Sequence, residues 1–225
     1  MSGVILLTGF DAFGGDAVNP SIDLARALEG EVVDGSRVVA EQLPCEFARS
    51  TTFLFAALER WSPRLVLAIG QAGGRADLSF ERIAINLIDA RIADNAGAQP
   101  IDVAVDPDGP AAYFSTLPIK RMAAAVRRAG VPASISYSAG SFVCNQIFYA
   151  LQHRLAGYSA GIPGGFMHVP LLPEQAVRRA STGQAISASM ALAQMVLGTR
   201  VALQAALRDP VPGMAGLESS EGILS

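Results

Sequence analysis

Apolar residues fall along this chain in short continuous runs, separated by longer stretches in which they recur every three or four positions. Val4–Leu7 is the first run and stops at Thr8-Gly9; Val38–Leu43, Leu65–Ile69, Ile83–Leu87, Ala133–Tyr137 and Phe166–Val169 are of the same kind. Such runs predict short, mostly buried strands. Between them, Asn19-Pro20-Ser21 opens a helix, since Asn caps a helix start and Pro tolerates the first helical position. Ile22, Ala25 and Leu28 mark its apolar face. Phe47–Trp61 reads as a second helix, closed by Ser62-Pro63. Within Pro118–Ala129, Ile119, Met122, Ala123 and Val126 form an apolar stripe that Arg121, Arg127 and Arg128 avoid, the pattern of a surface helix. Asn145–Ala156 is another helix, and the alanine-rich segment after Thr182 contains one more. Strands alternating with helices predict an α/β fold around a largely parallel sheet.

No fixed-period repeat and no interior linker divide the chain. One domain is expected over residues 1–209, with 210–225, rich in Pro, Gly, Ser and Glu, fraying as a tail. Of the 225 residues 51% are hydrophobic and 16% charged, and the mean hydropathy is +0.35, which excludes general disorder. A net charge of −3 excludes nucleic-acid binding driven by bulk charge. Lys120 is the only lysine, which reads as coding bias.

Ala185–Leu207 approaches the length of a membrane span. Gln194, Thr199, Arg200 and Gln204 interrupt it with groups lipid would leave unsatisfied, so a buried or subunit-facing helix is expected and no membrane association. Met1-Ser2-Gly3 lacks the basic start of a signal peptide. Two cysteines make no disulfide framework and fit a reducing cytoplasm.

In sheets of this type, sites form in loops at the carboxyl ends of strands. Thr8–Asn19, Gly70–Arg75, Ser138–Asn145 and the surroundings of His168 qualify. Neither glycine-rich loop matches a phosphate-cradle spacing, so Gly14-Gly15 and Gly73-Gly74 read as tight turns. Cys144 is the sharper signal, because it stands where a strand turns into a helix N-terminus. Free N–H groups and the helix dipole there are expected to favour a thiolate and to receive an oxyanion. A thiol nucleophile wants a histidine base. His153, nine residues on along the same helix, faces away and lies about 13 Å along the axis. His168, at a strand end, is the remaining candidate. Cys45, Cys144, His153 and His168 lack the paired short spacing of a zinc site, so no metal is expected, and Cys45 reads as packing. Glu81, Asp89, Asp94 and Glu174 are all possible partners for the imidazole, and spacing does not choose among them.

Taken in order, these segments resemble one family. Gly9-Phe10-Asp11-Ala12-Phe13-Gly14-Gly15 with Asn19-Pro20-Ser21, then Gly70-Gln71-Ala72-Gly73-Gly74-Arg75, Glu81–Asn95, Ser138–Asn145, and Gly165–Pro170 with Leu172-Pro173-Glu174-Gln175 are similar to pyroglutamyl peptidase I, the pyrrolidone-carboxylate peptidases. The resemblance is collinear from residue 4 to about residue 180. It implies a single-domain α/β/α sandwich with a mixed, largely parallel sheet, assembled as a cytoplasmic homotetramer. The activity implied is a cysteine peptidase that removes N-terminal pyroglutamyl residues from peptides, without metal or organic cofactor. The family's Cys, His and Glu fall on Cys144, His168 and Glu81, and its supporting Asp falls on Asp94. Arg91 is then a candidate to hold the oxyanion beside the N–H of Cys144. Ala12 and Ala93 stand where the family usually has Pro, and Leu171 where it commonly has Tyr, departures that loosen loops without removing a reacting group. The segment after Thr182 is less similar.

A pyroglutamyl group is a small neutral lactam, so its pocket should be mostly apolar with few hydrogen-bonding groups. Phe10, Phe13 and Phe142 are candidates to sandwich the ring. Gln71, or a backbone group near it, is a candidate for the lactam amide, and Asn19 is either a further contact or simply a helix cap. The rival readings are a phosphate- or nucleoside-binding enzyme on a similar scaffold, and a non-catalytic binding relative.

Overall fold

The computed structural model describes residues 3–159 and 161–208; the tail expected at 210–225 and the start at Met1-Ser2 lie outside them. The strands are β1 (Val4–Phe10), β2 (Val32–Val33), β3 (Ser36–Leu43), β4 (Leu65–Gln71), β5 (Leu78–Glu81), β6 (Ile83–Ile85), β7 (Ala112–Phe114), β8 (Ala133–Ser136) and β9 (Gly164–Val169). The helices are α1 (Pro20–Ala27), α2 (Ser50–Trp61), α3 (Ile119–Arg128), α4 (Val143–Ala156), α5 (Pro173–Ser181) and α6 (Leu192–Leu207).

Seven strands form one sheet in the order β2-β3-β1-β4-β9-β5-β8, and β6-β7 form a separate two-stranded sheet. β3, β1, β4 and β9 run parallel; β2 opposes β3, and β5, paired in parallel with β8, opposes β9. The sheet is therefore mixed and largely parallel, as the sequence predicts. Helices cover both faces. Side chains of α1, α3 and α6 pack with Ile5, Leu7, Leu67, Ile69, Phe80 and Met167. Side chains of α2 and α4 pack with Leu6, Phe10, Val66, Ala68 and Phe166. The strict alternation along β1, β4 and β9 follows from the period of two in a strand, so residue parity decides which layer a side chain enters.

Boundaries moved where polar residues mask a strand. β5 has no counterpart among the expected strands, because Ser79 and Glu81 alternate with Leu78 and Phe80; all four are buried. The strand expected over Ile83–Leu87 is only Ile83–Ile85, and it belongs to the small sheet. The second helix begins at Ser50 rather than Phe47. α1 starts as expected, with Asn19 Oδ1 accepting from the Ser21 N–H at 3.1 Å and Pro20 at the first position. α6 spans 16 residues and buries Met195, Gly198, Thr199, Ala202 and Leu203. Among the described residues no helix is long and apolar enough to cross a membrane.

Candidate active site

Glu81, His168 and Gly70 share the sheet face covered by α4, and strand pairing explains why. Gly70 of β4 is the registered partner of His168 of β9, and His168 is also opposite Ser79 of β5. Glu81 lies two residues beyond Ser79, so its side chain emerges on the same face, diagonal to His168. The imidazole Nδ1 and Glu81 Oε1 are 2.7 Å apart, with His168 4% and Glu81 0% exposed. A carboxylate can only accept, so Nδ1 carries the hydrogen and Nε2 is left as the nitrogen able to take a proton. The Phe166 ring, two residues back on β9, packs beside the imidazole with centroids 4.9 Å apart.

Cys144 arrives on this face from the opposite layer, as the second residue of α4. A Cβ at Gly70 would lie 2.8 Å from Cys144 Sγ and 2.8 Å from Phe166 Cζ. The sulfur therefore occupies the space a side chain at Gly70 would take, against the position paired with His168. Phe142 caps α4 without a side-chain hydrogen bond, and the N–H groups of Val143, Cys144 and Asn145 have no carbonyl one turn earlier to bond. The helix start is braced instead by the next residues. Asn145 Nδ2 donates to the Ile85 and Leu87 carbonyls, both at 2.9 Å, and its Oδ1 accepts the Ile85 N–H at 3.0 Å. Gln146 Nε2 donates to the Phe47 carbonyl at 2.9 Å.

The surroundings of Cys144 work against the expected thiolate. Burial, reinforced by the Glu81 charge, pushes the Cys144 thiol up to about 12, against the opposing pull of Arg75 and of its own backbone N–H. The N–H dipoles at the helix start are opposed by desolvation of the sulfur and by the nearby Glu81 charge. Cys144 itself is partly exposed, whereas Cys45 is buried, packs in the same layer, and has its thiol pushed up by burial, then by the nearby Cys144.

Arg75 is a site residue that spacing did not reveal. Its Nη1 donates to Glu81 Oε1 at 2.8 Å and its Nη2 to the Ser138 carbonyl at 3.1 Å. The only sequence signal was a cation directly after the Gly73-Gly74 turn. Phe47 was likewise missed. Its ring meets Phe142 edge-on with centroids 5.1 Å apart, and Phe13 lies on Phe142 at 6.2 Å, so Phe13, Phe47 and Phe142 form one aromatic wall. Phe10, 2% exposed, is packed in the core at the end of β1.

Asp94 does not approach the imidazole. Its Oδ2 accepts the Phe47 N–H at 2.7 Å, and its Oδ1 accepts the N–H groups of Ala96 and Ala98 at 2.9 and 2.8 Å. It shapes its own loop and fastens Phe47. Arg91 is exposed on the same loop, whose start is tied to the Cys144 loop by the Asp89 N–H to the Ser141 carbonyl at 3.0 Å. Asn19 is spent as a cap: Oδ1 takes the Ser21 N–H and hydroxyl, and Nδ2 donates to the Asp11 carbonyl at 2.8 Å. Gln71 falls one residue past Gly70, so parity sends its side chain to the other face. There its Nε2 donates to Asp16 Oδ2 at 3.2 Å and its Oε1 accepts from Gln175 at 3.0 Å. The Gln71 amide is thus directed away from Cys144. His153 sits in the last turn of α4, bonded to the Tyr113 hydroxyl at 2.8 Å.

Residues 3–209 match the family model described as pyroglutamyl peptidase. The chain is 55% identical over 204 residues to the pyrrolidone-carboxylate peptidase of Cupriavidus taiwanensis, covering 90% of this chain and 92% of that one. It is 50% identical over 216 residues to that of Klebsiella pneumoniae, covering 96% and 98%. Among solved structures, it is similar to pyroglutamyl peptidase I of Bacillus amyloliquefaciens, with TM-score 0.85, 40% identity, and 91% and 97% covered. A mutant pyrrolidone carboxyl peptidase of Pyrococcus furiosus gives TM-score 0.88, 38% identity, and 91% and 98% covered. With a matched family model spanning nearly all of it, the chain belongs to the pyroglutamyl peptidase family of cysteine-type peptidases.

Proposed function

We propose that the enzyme hydrolyses the amide bond that follows an N-terminal pyroglutamyl residue, using Cys144, His168 and Glu81. The observation that carries this is the Glu81–His168 hydrogen bond of 2.7 Å, on the sheet face that also receives Cys144 Sγ at Gly70. Surroundings that raise the Cys144 thiol call for a base in place, and His168 Nε2 takes the Cys144 proton as sulfur reaches the carbonyl carbon. Glu81 accepts from Nδ1 throughout, fixing the ring and countering the imidazolium that forms. The tetrahedral oxyanion falls at the α4 N-terminus, where backbone N–H groups supply stabilisation. Arg91 is the second candidate donor, carried close by the Asp89–Ser141 bond. The imidazolium then protonates the leaving amine and leaves a thioester at Cys144. Water, activated by His168, resolves it to pyroglutamate and free thiol.

The aromatic wall of Phe13, Phe47 and Phe142 suits a neutral lactam, and substrate polar groups then fall to backbone atoms rather than to the Gln71 amide. Cys144→Ala and Cys144→Ser should abolish turnover of a pyroglutamyl fluorogenic amide with Tm retained, and iodoacetamide should inactivate the parent enzyme. Full activity in the Ala variant removes the proposal. Turnover that depends on added phosphate would instead favour a phosphate-using enzyme.

A further inference from the structure

Glu81 is held in an unusual way for a carboxylate with no exposed surface. Oε1 takes both the His168 Nδ1–H at 2.7 Å and the Arg75 Nη1–H at 2.8 Å, while Oε2 is buried and no described residue bonds it. Two charge-assisted donors on one oxygen fix the carboxylate's rotation, since turning it would give up both bonds. The second arm of the guanidinium grips the Ser138 carbonyl at 3.1 Å, in the loop that runs through Gly140 into Phe142 and Cys144. Arg75 is aimed there by the turn over Ala72–Arg75, closed by the Arg75 N–H to the Ala72 carbonyl at 3.3 Å. It is thus bonded both to the acid that orients the imidazole and to the loop that presents the nucleophile.

We propose that Arg75 is a positioning residue of the reaction, clamping Glu81 Oε1 onto His168 and locking the Ser138 loop to it. This rests on the assignment of Cys144, His168 and Glu81 above. Arg75 is partly exposed, at 27% of its side chain, yet its two bonds point inward, and neither reaches the aromatic wall expected to hold the ring. Its effect therefore belongs to the chemical step and not to substrate affinity. The charged and titratable groups around the cluster are Glu81 on β5, His168 on β9, Cys144 on α4, Cys45 in the loop after β3 and Arg75 itself, and Arg75 is the charged side chain that pulls the Cys144 thiol down.

The test is a comparison of parent, Arg75→Gln, Glu81→Gln and the double variant, on a pyroglutamyl amide. Arg75→Gln should lower kcat about 10- to 100-fold, as loss of a charge-assisted clamp does, with KM within about twofold. In the Glu81→Gln background the same change should lower kcat less than about threefold, because the clamped acid is already gone. The pH dependence of Cys144 alkylation by iodoacetamide, read without substrate, should move to higher pH in Arg75→Gln. Arg75→Lys, which keeps the charge but not the fork to Ser138, should fall between parent and Gln, and it carries the comparison if the Gln variant does not fold. An unchanged kcat, a rise confined to KM, or an equal loss in the presence and absence of Glu81 overturns the proposal. Full activity in Glu81→Gln alone would instead overturn the assignment of Glu81.

Discussion

At the carboxyl end of β4, adjacent residues open onto two polar clusters on opposite faces of the same sheet. On the α5 side, Asp16 Oδ2 takes N–H groups from Gln71, Gln175 and Arg179 at 3.2, 3.0 and 2.7 Å, and Gln175 Oε1 takes the Leu172 N–H at 2.9 Å. On the α4 side, Glu81 Oε2 has no partner among the described residues, and the Cys144 thiol is pushed up to about 12 by desolvation. The first cluster gives each polar group an acceptor or donor and becomes a fastening for the Phe13 loop, the β4 end and α5. The second leaves capacity unspent, which is destabilising in a core and necessary at a site that must receive a substrate and a proton.

If that contrast is right, the two faces respond differently to small changes. Gly70→Ala puts a methyl where Cys144 Sγ and the Phe166 ring already stand, each 2.8 Å away. Displacing the sulfur by such a distance should lower kcat/KM by at least about 100-fold. The overpacking should cost about 1–3 kcal/mol of stability. Parent-like turnover of a pyroglutamyl amide by this variant would mean the sulfur does not work where the structure puts it. Asp16→Ala is the complementary change. It strands the Gln71, Gln175 and Arg179 donors and should cost about 3 kcal/mol, seen as a lower urea midpoint. Its kcat should stay within about twofold, because it shares no partner with the reacting groups, while KM rises as the Phe13 loop loosens. A large loss of kcat in Asp16→Ala would erase the distinction between the faces.

The same contrast explains what could be read without coordinates. β4 was visible because all seven residues from Leu65 to Gln71 are buried, and α1 because its cap and its Pro are local chemistry. β5 and α5 were not, because polar residues occupy buried positions in both: Ser79 and Glu81 in one, Gln175 in the other. Apolar periodicity fails where a polar side chain faces inward for a purpose. Cys144 was marked as a candidate by its place at a helix start, and His168 by the lack of another histidine in reach. Glu81 was chosen only by family resemblance, since its meeting with His168 depends on β5 running against β9, a long-range pairing with no local mark. Gln71 was misdirected by a single step of strand parity, which the burial of Ile69 with the α1 layer would have corrected. What opposes a thiolate was hidden for another reason: the helix N-terminus is a local feature, whereas packing of the sulfur against Gly70 and Phe166 is a product of the whole fold.

That burial has a consequence at alkaline pH. In the unfolded chain Cys144 titrates near 9.0, and in the folded enzyme at about 12, with desolvation the larger cause and the Glu81 charge the second. Between these values the native state keeps a proton that the unfolded state has lost, so stability falls as pH rises through the window from 9.0 to about 12. Below 9.0 the contribution is fully present, and Cys45, raised by its own burial, acts in the same direction. Cys144→Ser keeps nearly the same shape and removes this titration. The stability of parent and variant should therefore differ by a constant amount at neutral pH, and the parent should lose ground steadily as pH approaches about 11. Other alkaline groups titrate in both proteins and cancel in the difference, which urea denaturation at a series of pH values would read. Parallel stability curves would show that the sulfur is as well solvated folded as unfolded. The reacting face would then lack the desolvated, proton-holding character that separates it from the satisfied cluster behind it.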